Sequence, residues 1–133
     1  MPTTLKDEAA IVGIGQTEFS KNSGRSELQL ACEAVRAALE DCGVKPRDVD
    51  GLVTFSMDTN DEVEVAQAVG CGDLTFYSRI PYGGGAAIGV IEQAVMAVAT
   101  GVAKYVVVYR AFNERSGRRY STGIGEVHRN AKD

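Results

Sequence analysis

The chain has 133 residues and a mass of 14.1 kDa, the size of one domain that buries roughly two thirds of its unfolded surface. With 44% apolar and 24% charged residues, its composition is ordinary for a globular protein and excludes intrinsic disorder, a collagen-like repeat and a disulfide scaffold. The net charge of −4 is uneven: residues 1 to 103 hold 7 Lys and Arg against 15 Asp and Glu, and residues 104 to 133 hold 7 against 3. The acidic body argues against nucleic-acid binding, whereas the basic end suits an acidic partner or an anionic ligand.

After a polar leader, Ala9-Ala10-Ile11-Val12-Gly13-Ile14-Gly15 is a short apolar run ending in glycine, which predicts a buried first strand with a tight exit. Ser26-Glu27-Leu28-Gln29 has the form of a capping box, with Ser26 and Gln29 both satisfying amides at a helix start. Leu28, Ala31, Val35, Ala38, Leu39 and Cys42 then recur at spacings of three and four, and Gly43 and Pro46 end the helix. Gly51-Leu52-Val53-Thr54-Phe55 predicts a second strand. A short helix follows, carrying Val63, Ala66 and Val69 and stopped by Gly70 and Gly72.

Phe76 to Ile80 reads as a third strand, interrupted by Arg79 and closed by Pro81. Gly83-Gly84-Gly85 then opens a helix from Ala86 to Thr100 that is apolar almost all round, the pattern of a helix buried at the centre of a molecule. Its longest apolar stretch, Ile88 to Val98, is broken by Glu92 and Gln93 and is too short to span a bilayer. Gly101 caps it, and Lys104 to Arg110 predicts a fourth strand before a polar, basic end.

The order βαβαβαβ calls for a mainly parallel sheet with helices on both faces. A single layer of this kind leaves the third helix facing water, so a second domain or another subunit is expected to cover it. The leader, with acidic residues where a secretory signal carries basic and apolar ones, points to the cytoplasm.

Few motifs carry chemistry alone. Gly13-x-Gly15 follows a predicted strand, but Glu18 occupies the third glycine position of a dinucleotide fingerprint. The run Pro81-Tyr82-Gly83-Gly84-Gly85-Ala86-Ala87 lacks the Lys-Ser/Thr of a phosphate-binding Walker loop. Bare backbone at a helix start can approach a ligand closely and offer amides to an oxyanion; it can equally be a tight turn packed under a neighbouring layer. Arg115-Ser116-Gly117-Arg118-Arg119, following Arg110, reads as a solvated loop, an interface or a phosphate contact. Cys32, Cys42 and Cys71 lack metal-ligand spacing, and the sole histidine, His128, completes no zinc set, so no metal site is expected. Reduced buried thiols and a surface histidine are the simplest readings.

Three stretches carry a resemblance. They are Ala10-Ile11-Val12-Gly13-Ile14-Gly15-Gln16-Thr17-Glu18-Phe19; Ala37 to Gly43 with Val49-Asp50-Gly51-Leu52-Val53; and the glycine-rich turn leading through Ala94 to Gly101 into Val106-Val107-Val108. In this order they resemble the N-terminal half of the thiolase superfamily, and the segment Tyr109 to Arg119 is similar to its lipid-transfer protein, or sterol carrier protein-x thiolase-like, branch. The resemblance covers about residues 9 to 122.

It implies an α/β half domain over residues 1–133, with strand order 3-2-1-4 and a fifth strand if present, its third helix covered by a second half. The family's nucleophilic cysteine falls at Gly84, which cannot attack. Cysteine-less members of the branch resemble steroid side-chain aldolases. The resemblance therefore implies retro-aldol cleavage of a steroid-like β-hydroxyacyl-CoA to a ketone and a shorter acyl-CoA such as propionyl-CoA. Tyr82, Gly83, Gly84, Gly85 and Ala86 would line the substrate site, and Arg110, Arg115, Arg118 and Arg119 would meet CoA or an interface. Coenzyme A enters as the substrate's thioester and no further cofactor is expected. A homodimer through the strand after the glycine-rich turn and a small OB-fold acyl-CoA-binding partner are the implied assembly. The alternatives are a thiolase still performing acyl transfer and a non-catalytic lipid or acyl-CoA binding subunit.

Overall fold

A computed structural model describes residues 4–55, 60–81, 84–113 and 115. Helix α1 spans Glu27–Cys42. The Ser26 hydroxyl accepts the Gln29 N–H at 3.1 Å, while the Gln29 side chain donates to Glu33 instead of closing the capping box. Gly43 ends the helix at φ 70°, a left-handed conformation that glycine adopts without penalty. A single turn, Pro46–Asp48, leads to strand β1, Gly51–Phe55, which is buried throughout. Helix α2 spans Glu62–Val69, capped by the Asp61 side chain. Strand β2 is Phe76–Ile80, helix α3 is Ala86–Ala99 and strand β3 is Val106–Val108.

The sheet is parallel, in the order β2-β1-β3. Leu52 packs with Val35, Leu39, Val65 and Val69 on the α1 and α2 face; Val53 and Phe55 pack with Ala86, Val90 and Ala94 on the α3 face. The expected α/β class, with parallel strands and helices on both faces, is therefore present. Alternation along β1 produces the two cores, because neighbouring side chains point to opposite faces.

The first predicted strand departs from expectation. Residues 9–15 form no strand, and β1 pairs directly with β3, so the order lacks the position given to that segment in 3-2-1-4. Both edges of β1 are taken: a Cβ on Gly51 would lie 2.8 Å from Val106, so the bare glycine lets β3 close in. The segment instead crosses α1. A Cβ on Gly13 would stand 2.3 Å from the Ala38 carbonyl oxygen, and one on Gly15 would stand 2.3 Å from the Ala34 carbonyl oxygen. The Ile14 N–H donates to the Asp41 carboxylate at 3.0 Å, and the Ile11 and Ile14 side chains remain exposed. A groove of about 810 Å³ runs beside β3, walled by this segment, Ala38 and Cys42 of α1, and Ile91, Val95 and Val98 of α3. No helix among the described residues is long and apolar enough to cross a membrane.

Candidate active site

Strand β2 ends at Ile80 and α3 begins at Ala86, so the glycine-rich turn lies at the carboxyl end of a parallel sheet, the usual position for a ligand in such folds. The Ala87 N–H donates to the Gly84 carbonyl at 3.3 Å, and the N–H groups of Ile88 and Gly89 donate to that of Gly85 at 3.1 and 3.0 Å. The amides before these, of Gly84, Gly85 and Ala86, lie at the positive end of the α3 dipole.

Neither Gly84 nor Gly85 has a positive φ, and a Cβ added to either would meet nothing within 4 Å. Backbone conformation therefore does not demand glycine here, nor does packing among the described residues. What the two glycines provide is open space at the start of a helix. Ala86, the next residue, is buried against the sheet with Val53 and Phe55. Tyr82 and Gly83 lie outside the described residues.

A second structure is built on the chain leaving β3. The Tyr109 N–H donates to the Val53 carbonyl at 3.1 Å, and its carbonyl accepts the Thr54 hydroxyl at 3.2 Å. Asn60 donates to the Ala111 carbonyl, and Asn113 is tied to the start of α1 through Glu27 and the Arg25 carbonyl. Along this strap the Arg110 guanidinium stacks 4.7 Å from the centre of the Phe55 ring and 5.1 Å from that of Phe112. Phe55 belongs to the same core as Ala86, which puts Arg110 on the α3 face at the carboxyl end of β1. Arg115 is exposed. Arg118, Arg119 and His128 lie outside the described residues.

The described cysteines do not occupy the start of α3. Cys32 and Cys71 belong to the core on the α1 and α2 face, and burial pushes both thiols up from their ordinary range. The Cys42 thiol donates to the Ala38 carbonyl within its own helix. Among the described residues no group of three His, Cys, Asp or Glu could hold a metal ion.

Sequence reasoning missed one polar cluster. Arg79, read as an interruption of its strand, alternates onto the α2 face, where its Nε donates to Glu62 Oε2 at 2.6 Å and its Nη2 reaches both Glu62 and Asp61. The only sequence signal was a pair of carboxylates at a helix start, which fixes no distant partner.

The structure thus sets an apolar helix behind an open, glycine-lined turn, and the chain's three cysteines all lie away from that turn. Comparison with known proteins gives the likeness. No protein-family profile matches the chain. It is 65% identical over 127 residues to a steroid side-chain-cleaving aldolase of Thermomonospora curvata, covering 96% of this chain and 32% of that one. It is 67% identical over 116 residues to a 17-hydroxy-3-oxo-4-pregnene-20-carboxyl-CoA lyase of Mycobacterium tuberculosis, covering 87% and 30%.

Among solved structures, an Ltp2-ChsH2(DUF35) aldolase superposes with a TM-score of 0.81 at 63% identity, over 90% of this chain and 31% of that one. A monomeric SCP2-thiolase like protein from Mycobacterium smegmatis gives 0.62 at 28% identity, over 74% and 22%. The chain is thus similar to SCP2-thiolase-like proteins and steroid side-chain aldolases, and shares their fold over the matched residues. It spans about a third of the length of the curated relatives it matches.

Proposed function

We propose that residues 1–133 are the N-terminal thiolase-like portion of a carbon-carbon lyase that cleaves the side chain of a steroid-like β-hydroxyacyl-CoA. The observation that carries this reading is the open space at Gly84 and Gly85, where neither torsion angle nor packing among the described residues requires a glycine and no cysteine stands. The relatives' names agree with it. In a 17-hydroxy-20-carboxyl-CoA the hydroxyl is β to the thioester carbonyl, the arrangement a retro-aldol reaction needs.

The reaction balances within the substrate. A base takes the β-hydroxyl proton, and the O–H electron pair becomes the new ketone. The bond between the α and β carbons breaks, and its pair passes into the thioester as an enolate. A proton then returns to the α-carbon, releasing a shorter acyl-CoA such as propionyl-CoA. Amides of Gly84, Gly85 and Ala86 at the start of α3 would stabilise the enolate oxygen. Tyr82 and Gly83 would complete that wall, and the space left by the missing side chain would admit the rings. Arg110, Arg115, Arg118 and Arg119 would meet CoA phosphates or a partner surface. The step requires no oxidant, reductant or second CoA, so we assign no cofactor beyond the substrate's thioester.

Homodimerisation through the strand after the glycine-rich turn, a small OB-fold partner that binds acyl-CoA, and a cytoplasmic location complete the reading. The two-protein name of the aldolase structure supports the partner. The test uses a full-length enzyme carrying this chain, with its partner, and a β-hydroxyacyl-CoA. Ketone and shorter acyl-CoA formed without consumption of free CoA support the lyase. Consumption of free CoA or a trapped acyl-cysteine favours acyl transfer, and tight binding without products favours a carrier.

A further inference from the structure

Arg110 is held by more than its own segment. The residues on either side of it, Tyr109 and Ala111, are buried in the core on the α1 and α2 face. Their backbone is pinned by three bonds: the Tyr109 N–H donates to the Val53 carbonyl at 3.1 Å, the Tyr109 carbonyl accepts the Thr54 hydroxyl at 3.2 Å, and the Ala111 carbonyl accepts the Asn60 side-chain amide at 3.3 Å. Alternation turns Arg110 to the opposite face, where its guanidinium stands over the Phe55 ring at 4.7 Å and the Phe112 ring at 5.1 Å. Phe55 is buried while Arg110 is exposed, so a fixed ring carries a charged residue at the surface.

Phe55 also packs in one core with Ala86 and Val90, so the cation and the positive end of the α3 dipole share one face of the sheet at the carboxyl end of β1. Two positive features beside one buried ring raise the local potential for an anion, and the rings hold the cation through its charge rather than through its in-plane N–H donors. A guanidinium set in place this way binds anionic oxygens with little further loss of side-chain freedom. We propose that Arg110 is an anion contact for the acyl-CoA substrate, with Phe55 and Phe112 as its positioning residues. The inference rests on the lyase reading and separates Arg110 from a partner-surface role. Within an acyl-CoA the anionic oxygens are those of the CoA phosphates and the one the thioester gains as an enolate, and the same guanidinium chemistry meets either.

The experiment uses the full-length enzyme with its partner, the β-hydroxyacyl-CoA, and the pantetheine thioester of the same acid, which lacks the phosphates. The variants are Arg110→Met, Arg110→Lys, Phe112→Leu and Phe112→Tyr, with kcat and KM measured per folded enzyme. Arg110→Met is expected to lower kcat/KM for the CoA thioester about tenfold or more, with Arg110→Lys between it and the parent. A loss seen with the CoA thioester alone assigns the contact to a phosphate; an equal loss with both, carried by kcat, assigns it to the enolate oxygen. Phe112→Leu should repeat the loss in smaller degree, and Phe112→Tyr should recover most of it. The double variant of Phe112→Leu with Arg110→Met should be no worse than Arg110→Met alone, as a shared role requires.

Turnover of both thioesters by Arg110→Met within about twofold of the parent would overturn the proposal. So would a loss that excess partner protein restores, since Arg110 would then serve the partner surface. Arg110→Lys and Phe112→Leu carry the same comparison should Arg110→Met fail to fold. Should the parent enzyme yield no ketone, the lyase reading fails by that result, and calorimetric affinity for an acyl-CoA then decides the contact: affinity about tenfold weaker in Arg110→Met keeps it, and unchanged affinity removes it.

Discussion

Asp50 and Tyr105 exchange hydrogen bonds in both directions: the Asp50 carboxylate accepts the Tyr105 N–H at 2.9 Å, and the Tyr105 carbonyl accepts the Asp50 N–H at 3.2 Å. The same carboxylate also accepts the Lys104 N–H at 2.9 and 3.0 Å. This knot brings the start of β3 against β1 and sets their parallel register before either strand begins.

Replacing Asp50 by alanine removes a charged acceptor from two backbone donors. Asp50→Ala is expected to lower stability by about 2 to 3 kcal/mol, with Asp50→Asn intermediate, as measured by denaturant midpoint in the full-length enzyme.

The glycines divide into two groups with opposite expected responses. Gly15→Ala forces a methyl into α1 backbone and should destabilise by about 1 to 3 kcal/mol. Gly84→Ala meets open space at an ordinary φ and should leave the melting temperature unchanged or slightly higher.

A branched side chain at Gly84 tests the site itself. Gly84→Val is expected to keep the fold, judged by circular dichroism and thermal unfolding, and to lower kcat/KM by about tenfold or more through blocked substrate. Undiminished turnover would place the site elsewhere.

The thiols make a pH prediction. Cys32 and Cys71 have folded-state values raised above the ordinary thiol value of 9.0, with burial the largest cause. The folded state therefore favours the protonated thiol. That contribution is full below pH 9.0 and is lost as pH climbs towards and through the raised values, because the unfolded chain ionises first. Stability should fall above about pH 9, and changing Cys32, Cys42 and Cys71 together to serine should soften that fall. Alkylation at neutral pH should be slow and spare activity, which assays before and after iodoacetamide can show.

Assembly is the last expectation. Ile88, Ile91 and Val102 are exposed on or just after α3, Ile11 and Ile14 are exposed on the N-terminal segment, and the groove beside β3 adds further apolar surface. Residues 1–133 expressed alone should not form a stable monomer. Size-exclusion chromatography with light scattering tests this, and a well-behaved 14 kDa species that unfolds cooperatively would contradict it.

Legibility in the sequence followed locality. Helix α1 was readable from Ser26 to Gly43 because both ends are capped by residues close in the chain, and α3 because its composition marks it. The fourth predicted strand, Lys104 to Arg110, narrowed to Val106–Val108, since its ends are held by Asp50 and the strap rather than by a ladder. The segment Ala9 to Gly15 has the composition of a strand but lies across α1, held by the Ile14 amide on Asp41 and by the close approach of Gly13 and Gly15 to the helix backbone, distant partners that composition does not encode. The glycine-rich turn was legible as a candidate, but whether its glycines served torsion, packing or space required coordinates. The Arg79–Glu62 pair was invisible for the same reason, its members lying 17 residues apart and meeting only in the folded chain.

The empty volume at Gly84 also bears on how separable scaffold and chemistry are. Because the backbone there would hold a side chain without strain, a thiol introduced by Gly84→Cys would stand at a helix N-terminus, where thiolates are stabilised. One substitution would then install an acyl acceptor on an unchanged framework. The boundary between breaking a carbon-carbon bond and transferring an acyl group would be a single side chain wide, and the turn itself would be indifferent to which side of it the enzyme occupies.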